Sequence, residues 1–456
     1  MRNAINLILI AGCATTLMAR EQYTRQFQKT AQLSSGRTFR IENSMGGIRI
    51  RAHSQNQVDI IASIRCSADT ADQAKDCADR IQIRVDDVGG VSVRTVYPEQ
   101  HDWGPWRRNI SMTVEYNIAI PENAPVEVHN SFGFVAVADV HGPAIITNRN
   151  APVNLTGGRG RQRIENAFGD VEVRGNDGDV SVRNTNSRVN VTDVTGAVDV
   201  SNRFADVRII NVGRGVTVNS NNCSIHVENA GAPVSVTGSF APIRVWDAKA
   251  DVTVNGQNSE LEARGIAGTA NLHTTFANIR ATRIGRALTI HAQNSTITAE
   301  NIGESATVET SFGGVDLRSV KGGARATANN SFIRLTDIGG EIYARTSFNG
   351  VTIAEAAGPI TVEGNNNSVT VSVKRGQRCE PLTLSTSFGP IKLTLPQGAG
   401  YNLNARTSFG HIHSDQEMTV GGELSKDAVT GRIGGGGCEL RLVGQNSNID
   451  ILKGTR

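Results

Sequence analysis

From Phe132 the chain repeats itself at a fixed interval. Stepping forward eighteen positions at a time gives Phe132, Asn150, Phe168, Asn186, Phe204, Asn222, Phe240, Asn258, Phe276, Asn294, Phe312, Asn330, Phe348 and Asn366, fourteen markers that alternate Phe and Asn without an insertion. A fixed period of this kind is the signature of a repeat array, in which each unit is one piece of supersecondary structure. Three residues past each marker the column is aliphatic throughout, from Val135 to Val369, and two residues further on it is apolar again, from Val137 to Val371. Residues such as Glu172, Arg208 and Glu262 stand between them. Apolar, polar, apolar with β-branched side chains is the alternation of a strand with one face in and one face out. A second pair follows twelve and fourteen residues past the marker, as in Val180/Val182, Val216/Val218 and Val252/Val254, with Ser181, Thr217 and Thr253 outward. Segments such as Asp139-Val140-His141-Gly142 and Asp337-Ile338-Gly339-Gly340 carry turn chemistry between the pairs.

One strand-turn-strand-turn unit has nothing to bury its apolar face against. Stacked units do, and their backbones pair rung to rung about 4.8 Å apart. The expected fold is all-β: a parallel single-stranded β-solenoid (β-helix) over residues 127–371. A coil of two repeats would place Phe over Phe and Asn over Asn, the side-chain ladders that stacked strands favour. The complete pattern closes within a single repeat, which favours the shorter coil.

The 456 residues exceed what one compact core holds, and a solenoid escapes that limit because it grows by addition. Aromatic content of 5% suits Val-rich rungs rather than a globular enzyme. A net charge of +3 without a polybasic block argues against nucleic acid as a partner. No apolar run reaches the length of a membrane span.

The N-terminus, MRNAINLILIAGC, has the layout of a secretory signal. Ile10-Ala11-Gly12-Cys13 resembles the bacterial lipobox, which implies a signal over 1–13 and lipidation of Cys13. Ala14 after the cysteine then implies the outer membrane, with the periplasm or cell surface as the wider expectation. Residues 14–35 are polar and aperiodic and read as a flexible tether. Residues 36–126 lack the register and read as an N-terminal cap. Within it Arg40 to Ile50 looks like a first, degenerate rung, and Ala68 to Ile81 has the spacing of one short amphipathic helix. After Val371 the register slips. Phe388, Phe409 and Asn446 restate the markers irregularly, so 372–456 reads as closing rungs and a C-terminal cap.

The phrases Ser131-Phe132-Gly133, Ser311-Phe312-Gly313, Ser387-Phe388-Gly389-Pro390-Ile391-Lys392-Leu393 and Gly431-Arg432-Ile433-Gly434 resemble a family of bacterial exported β-strand-repeat proteins. That family is catalogued under the label "putative adhesin", with no function established. The resemblance runs from about Thr38 to the end and rests on structural motifs, so it implies the fold more than an activity.

Candidate site residues fall in three groups. Trp103, Trp106, Arg107 and Arg108 share one loop, and aromatic-plus-Arg loops bind glycans and proteins. The outward column four past the marker holds Arg208, His226, Arg244 and Arg280, interrupted by Glu262, which on the shorter coil is one stripe. Export permits disulfides, and Cys66 with Cys77 and Cys379 with Cys438 each fall within one cap, leaving Cys223 over. No spacing suggests zinc or calcium, and no cofactor is expected. Two functions are expected to compete. One is an envelope-anchored, non-catalytic scaffold or adhesin that meets a glycan or cell-envelope component and touches the membrane only through its lipid. The other is a carbohydrate-active β-helix enzyme, a polysaccharide lyase or hydrolase, working on the stripe. The absence of a marked carboxylate cluster or His-centred pair favours the first.

Overall fold

The computed structural model describes residues 20–98, 110–376 and 379–454. The chain is 61% strand and 2% helix and forms a parallel β-solenoid of about 15 turns with roughly 18-residue rungs. It divides into two compact units, Met1–Val140 and His141–Arg456.

In the second unit Val153 pairs in parallel with Val171, Val171 with Val189, and Val189 with Val207. Each pairing advances by one repeat, so one coil is one repeat and not two. The strands that begin three past each marker form one sheet, the front sheet. Those that begin twelve past form the back sheet, where Val180 pairs with Val198 and Val198 with Val216. Because the pairing is in register, every side chain stacks on its counterpart in the next repeat. The inward columns of Val, Ile, Leu and Ala are buried along the array.

The corners depend on left-handed backbone. Seven residues past the marker φ is positive, at 58° for Asp193, 57° for Asn211 and 62° for Asn301. Asp and Asn accept this conformation better than other side chains. One such residue shifts the alternation, so the next side chain turns inward. The segments that read as turns therefore contribute core: Val194, Val212, Ile266, Ile284 and Ile338 are all buried. The marker is a second left-handed position, with φ of 58° at Asn222, 61° at Phe240 and 51° at Asn258.

Two residues before the marker lies a buried polar column. The Asn166 amide donates to the Gly169 carbonyl at 2.7 Å and to Ala151, one rung back, at 3.1 Å. Asn202 does the same to Ala205 and Ser187, at 2.6 and 3.1 Å. Further along Ser or Thr replaces Asn on some rungs, as where the Thr346 hydroxyl donates to the Ser331 carbonyl at 2.7 Å, and Gly or Ala on others, such as Gly238 and Ala292. These bonds satisfy turn carbonyls that burial would otherwise strand.

At its C-terminal end this unit stacks rungs out of chain order. Leu382–Thr386 and Ile391–Leu395 continue the two sheets. The next rung in space is Cys438–Gln445 with Ile449–Lys453, the last in sequence. Tyr401–Ser408 and Ile412–Ser414 lie beyond it. Antiparallel strands Ala428–Ile433 and Met418–Leu424 finish the back sheet. A disulfide joins Cys379 to Cys438, with Cα atoms 5.7 Å apart.

The first unit uses the same device. Phe39–Glu42 and Ile48–His53, the degenerate rung, lie between Val126–His129 with Val135–Ala138 on one side and Val91–Val96 with Ser111–Pro121 on the other. Antiparallel Gln57–Ala68 then pairs with Ser111–Pro121. The helix spans Ala71–Arg80, capped by the Thr70 hydroxyl at the Gln73 amide. Disulfide Cys66–Cys77 ties the helix to the Gln57–Ala68 strand.

The tether expected over 14–35 is corrected for its second half. Glu21–Gln32 is a twelve-residue strand, antiparallel to Gln57–Ala68. Polar residues hide its alternation, because it is an outer strand with mostly wet faces, and Tyr23, Arg25 and Phe27 are its half-buried side. Arg25 donates to the Ala78 carbonyl at 2.9 Å and to that of Ile81 at 2.5 Å, satisfying carbonyls at the helix C-terminus. Cys13 and the signal lie outside the described residues.

Two substitutions on one back-sheet strand test the register. Val254 is buried and Asn255 exposed. Val254→Asp should cost about 3 kcal/mol or more by burying an unpaired charge, whereas Asn255→Asp should stay within about 0.5 kcal/mol. Equal urea midpoints for the two would refute the inward assignment. Asn184→Ala should cost about 1–3 kcal/mol, because the Ser187 carbonyl loses its 2.8 Å donor. Chemical denaturation against wild type measures it.

Candidate functional site

The front sheet presents two outward columns, four and six residues past the marker. In the first, Arg208 pairs across rungs with His226, His226 with Arg244, Arg244 with Glu262 and Glu262 with Arg280. The expected stripe is therefore real as a surface row. In the second, Glu228, Trp246 and Arg264 stand on successive rungs. Trp246 is held between neighbours: the Arg264 guanidinium lies 4.2 Å over its ring, and the His226 ring meets it edge-on at 4.6 Å.

Arg208, His226, Glu228, Arg244 and Trp246 line a depression of about 700 Å³, together with Asp170, Glu172, Arg188 and Asp206. Arg280 is not among its lining residues, and Glu262 stands between it and Arg244. Arg244 is 3.6 Å from Glu262, and Arg188 pairs with Asp170 at 2.9 Å. Arg208 has no ion-pair partner among the described residues, so its five donors face outward uncommitted. Two other depressions of similar size lie in the second unit. One, at the front-sheet corner, is lined by glycines and aliphatics with Arg283 and Lys321. The other lies on a Ser- and Thr-rich stretch of the back sheet. Neither contains an aromatic side chain.

His226 Nε2 is 2.9 Å from Glu228 Oε2, the one His–carboxylate contact in the groove. Ser224 also lines it, but its hydroxyl donates to Asp206 Oδ1 at 2.6 Å rather than to the histidine. A nucleophile activated by His226 is thus not assembled. Cys223 adjoins Ser224, yet the thiol is buried and lies 2.7 Å from Ser220 Oγ. Burial pushes its pKa up, and the Ser220 contact offsets that only partly. At neutral pH it is a protonated, inert thiol. Among the described residues no group of three or more His, Cys, Asp or Glu converges as a metal site.

Sequence reasoning missed Trp246, Glu228 and Arg264. The signal was available, since all three sit six past a marker, two residues beyond the column that was read. The other candidate loop, with Trp103, Trp106, Arg107 and Arg108, lies outside the described residues.

No family model matches the chain, and no curated protein matches it. The likeness drawn from the Ser-Phe-Gly phrases therefore has no family model behind it. Among solved structures the chain is similar to a "putative cell adhesion protein" from Clostridium sporogenes, at 10% sequence identity and a TM-score of 0.16, with 95% of this chain and 100% of that one covered. At that identity and score the likeness carries no inference. What the described residues define is a parallel β-solenoid with an aromatic and charged groove on its front sheet.

Proposed function

We propose that this chain is an exported, non-catalytic β-solenoid whose front-sheet groove binds a glycan or another cell-envelope component, held at the membrane by lipid on Cys13. The observation that carries the reading is Trp246, a half-buried ring fixed by Arg264 and His226 in a groove that Arg208 also lines. Trp and Arg concentrate binding energy because a flat apolar face and a forked donor desolvate together. Export is supported by two disulfides, which persist in oxidising compartments. A binding role rather than turnover is supported by the commitments inside the groove: His226 to Glu228, Ser224 to Asp206, Arg244 to Glu262. A glycan would lie against the part of Trp246 that Arg264 and His226 leave exposed and meet Arg208 with its acidic or hydroxyl groups. The His226–Glu228 pair is what a second reading, a polysaccharide lyase or hydrolase, would use as its proton-transfer group.

The experiment is binding of the purified protein to polygalacturonate and to peptidoglycan fragments, with Trp246→Ala and Arg208→Ala beside wild type. Each variant should weaken binding by about tenfold or more. Unchanged affinity in both would overturn the assignment of the groove. New reducing ends or unsaturated products that vanish in His226→Ala would replace it with the enzyme. For the anchor, cells making wild type and Cys13→Ser are fed labelled palmitate. Label is expected in the first only, and equal label in both would remove the lipid.

A further inference from the structure

The front-sheet groove leaves one surface unexplained, the marker column itself. In the second unit Phe168, Phe204, Phe240, Phe276, Phe312, Phe348, Phe388 and Phe409 are all at least half exposed, from 50% at Phe348 to 93% at Phe409. Four of them, Phe204, Phe240, Phe276 and Phe409, hold left-handed backbone with φ between 55° and 65°. That conformation costs a bulky side chain about 1–2 kcal/mol, and Asn takes it more easily. Burial does not account for Phe here: half or more of each residue is exposed, and the marker position takes Asn on every other rung.

The C-terminal rungs show that the alternation belongs to the surface and not to tandem copying. In sequence the last markers run Phe388, Phe409, Asn446, which does not alternate. In space the rung of Ile391 pairs with that of Ile449, and Ile449 with Ile412. The markers thus stack as Phe388, Asn446, Phe409. Alternation follows spatial position through a change of chain order. Nor does stacking geometry demand it, since aromatic rings stack well on consecutive strands of a cross-β array.

What alternation makes is a toothed edge. Successive rings stand about 9.6 Å apart, two rung spacings, with an Asn in each gap. An identical edge set into it would place the partner's rings midway, about 4.8 Å from each neighbour, inside the range of favourable ring-centroid separations. The period of a second copy matches without any coincidence. The eight rings expose on the order of 1,000 Å² of aromatic surface, comparable to the roughly 800 Å² per partner of a stable interface. Charge does not oppose the contact. From Phe168 to Asn446 the marker and its two flanking residues carry a single charged group, the exposed Arg203 beside Phe204, and on the rungs from Ser239 to Asn367 they read SFA, QNS, TFA, QNS, SFG, NNS, SFN and NNN.

We propose that this edge is a homodimerisation surface, on which two copies of the chain interdigitate Phe teeth over Asn gaps about a two-fold axis. The arrangement is isologous, so it closes at two copies. It uses a different column from the groove and stands or falls independently of it.

Sedimentation analysis of the purified full chain tests this. Wild type should sediment at twice the chain mass at micromolar concentration. Combining Phe204→Asn, Phe240→Asn, Phe276→Asn and Phe312→Asn should yield a folded monomer by circular dichroism, with the dissociation constant raised about 100-fold or more and a melting temperature no lower. Asn258→Phe with Asn294→Phe fills two gaps and should also weaken the dimer, although it adds apolar surface. A monomeric wild type, an unchanged dimer in the first variant or a tighter one in the second would each overturn the proposal. So would a monomeric wild type that binds microcrystalline cellulose through these Phe residues, which would make the edge a glycan surface.

Discussion

Parallel, in-register pairing of each repeat with the next is the constraint on which everything else in this molecule rests. Once Val171 pairs with Val189 and Val189 with Val207, each residue type becomes a column, inside or out. An inward column must then be apolar on every rung or satisfy its polar atoms on every rung. The Asn166 and Asn202 side chains meet the second requirement on the donor side alone: each NH2 bridges carbonyls of two rungs, while each Oδ1 is buried without a hydrogen-bond partner among the described residues. The corner seven past the marker holds left-handed backbone on rung after rung, which is why Asp and Asn recur there, and the marker corner takes it at the marker or, near Phe312, Phe348 and Phe388, one residue later.

A parallel stack has no natural end, because its last strand always offers an unpaired edge. Each unit ends its parallel stack by changing strand direction in at least one sheet, which stops further addition in the repeat's own register. Gln57–Ala68 and Glu21–Gln32 run antiparallel in the first unit, as do Ala428–Ile433 and Met418–Leu424 in the second. Each also slots its sequence-terminal rung inside an end rung instead of beyond it. The insertion buries Phe39 and Ile41 in one unit and Leu440 and Leu442 in the other. A terminal segment placed inside cannot fray without breaking pairing on both sides; in the second unit a disulfide also holds the start of that segment, at Cys438.

Sequence periodicity exposed the coil length, both strand columns and the polar corners, because those features recur locally. It could not expose rung order at the ends. Phe39 meets Val126 across 87 residues, and no local pattern marks a strand as the partner of one so distant. The strand at Glu21–Gln32 stayed hidden because an outer strand needs few apolar residues. Trp246 was missed for a different reason. One outward column was followed while a strand in this sheet shows two, and the platform of the groove lies in the second.

The exposed surface divides along the same lines. On the front sheet the outward columns change from rung to rung: Arg208, His226, Arg244 and Glu262 differ in charge and reach. A site for a small or irregular ligand needs that variation, since each group must meet a different atom. The marker edge does the opposite, repeating Phe and Asn so strictly that alternation survives a change in chain order. Repetition is useless to an irregular ligand and well matched to a partner with the same period. Variation and repetition on one scaffold are therefore what the two proposed contacts require, the one with a foreign ligand and the other with the chain's own copy.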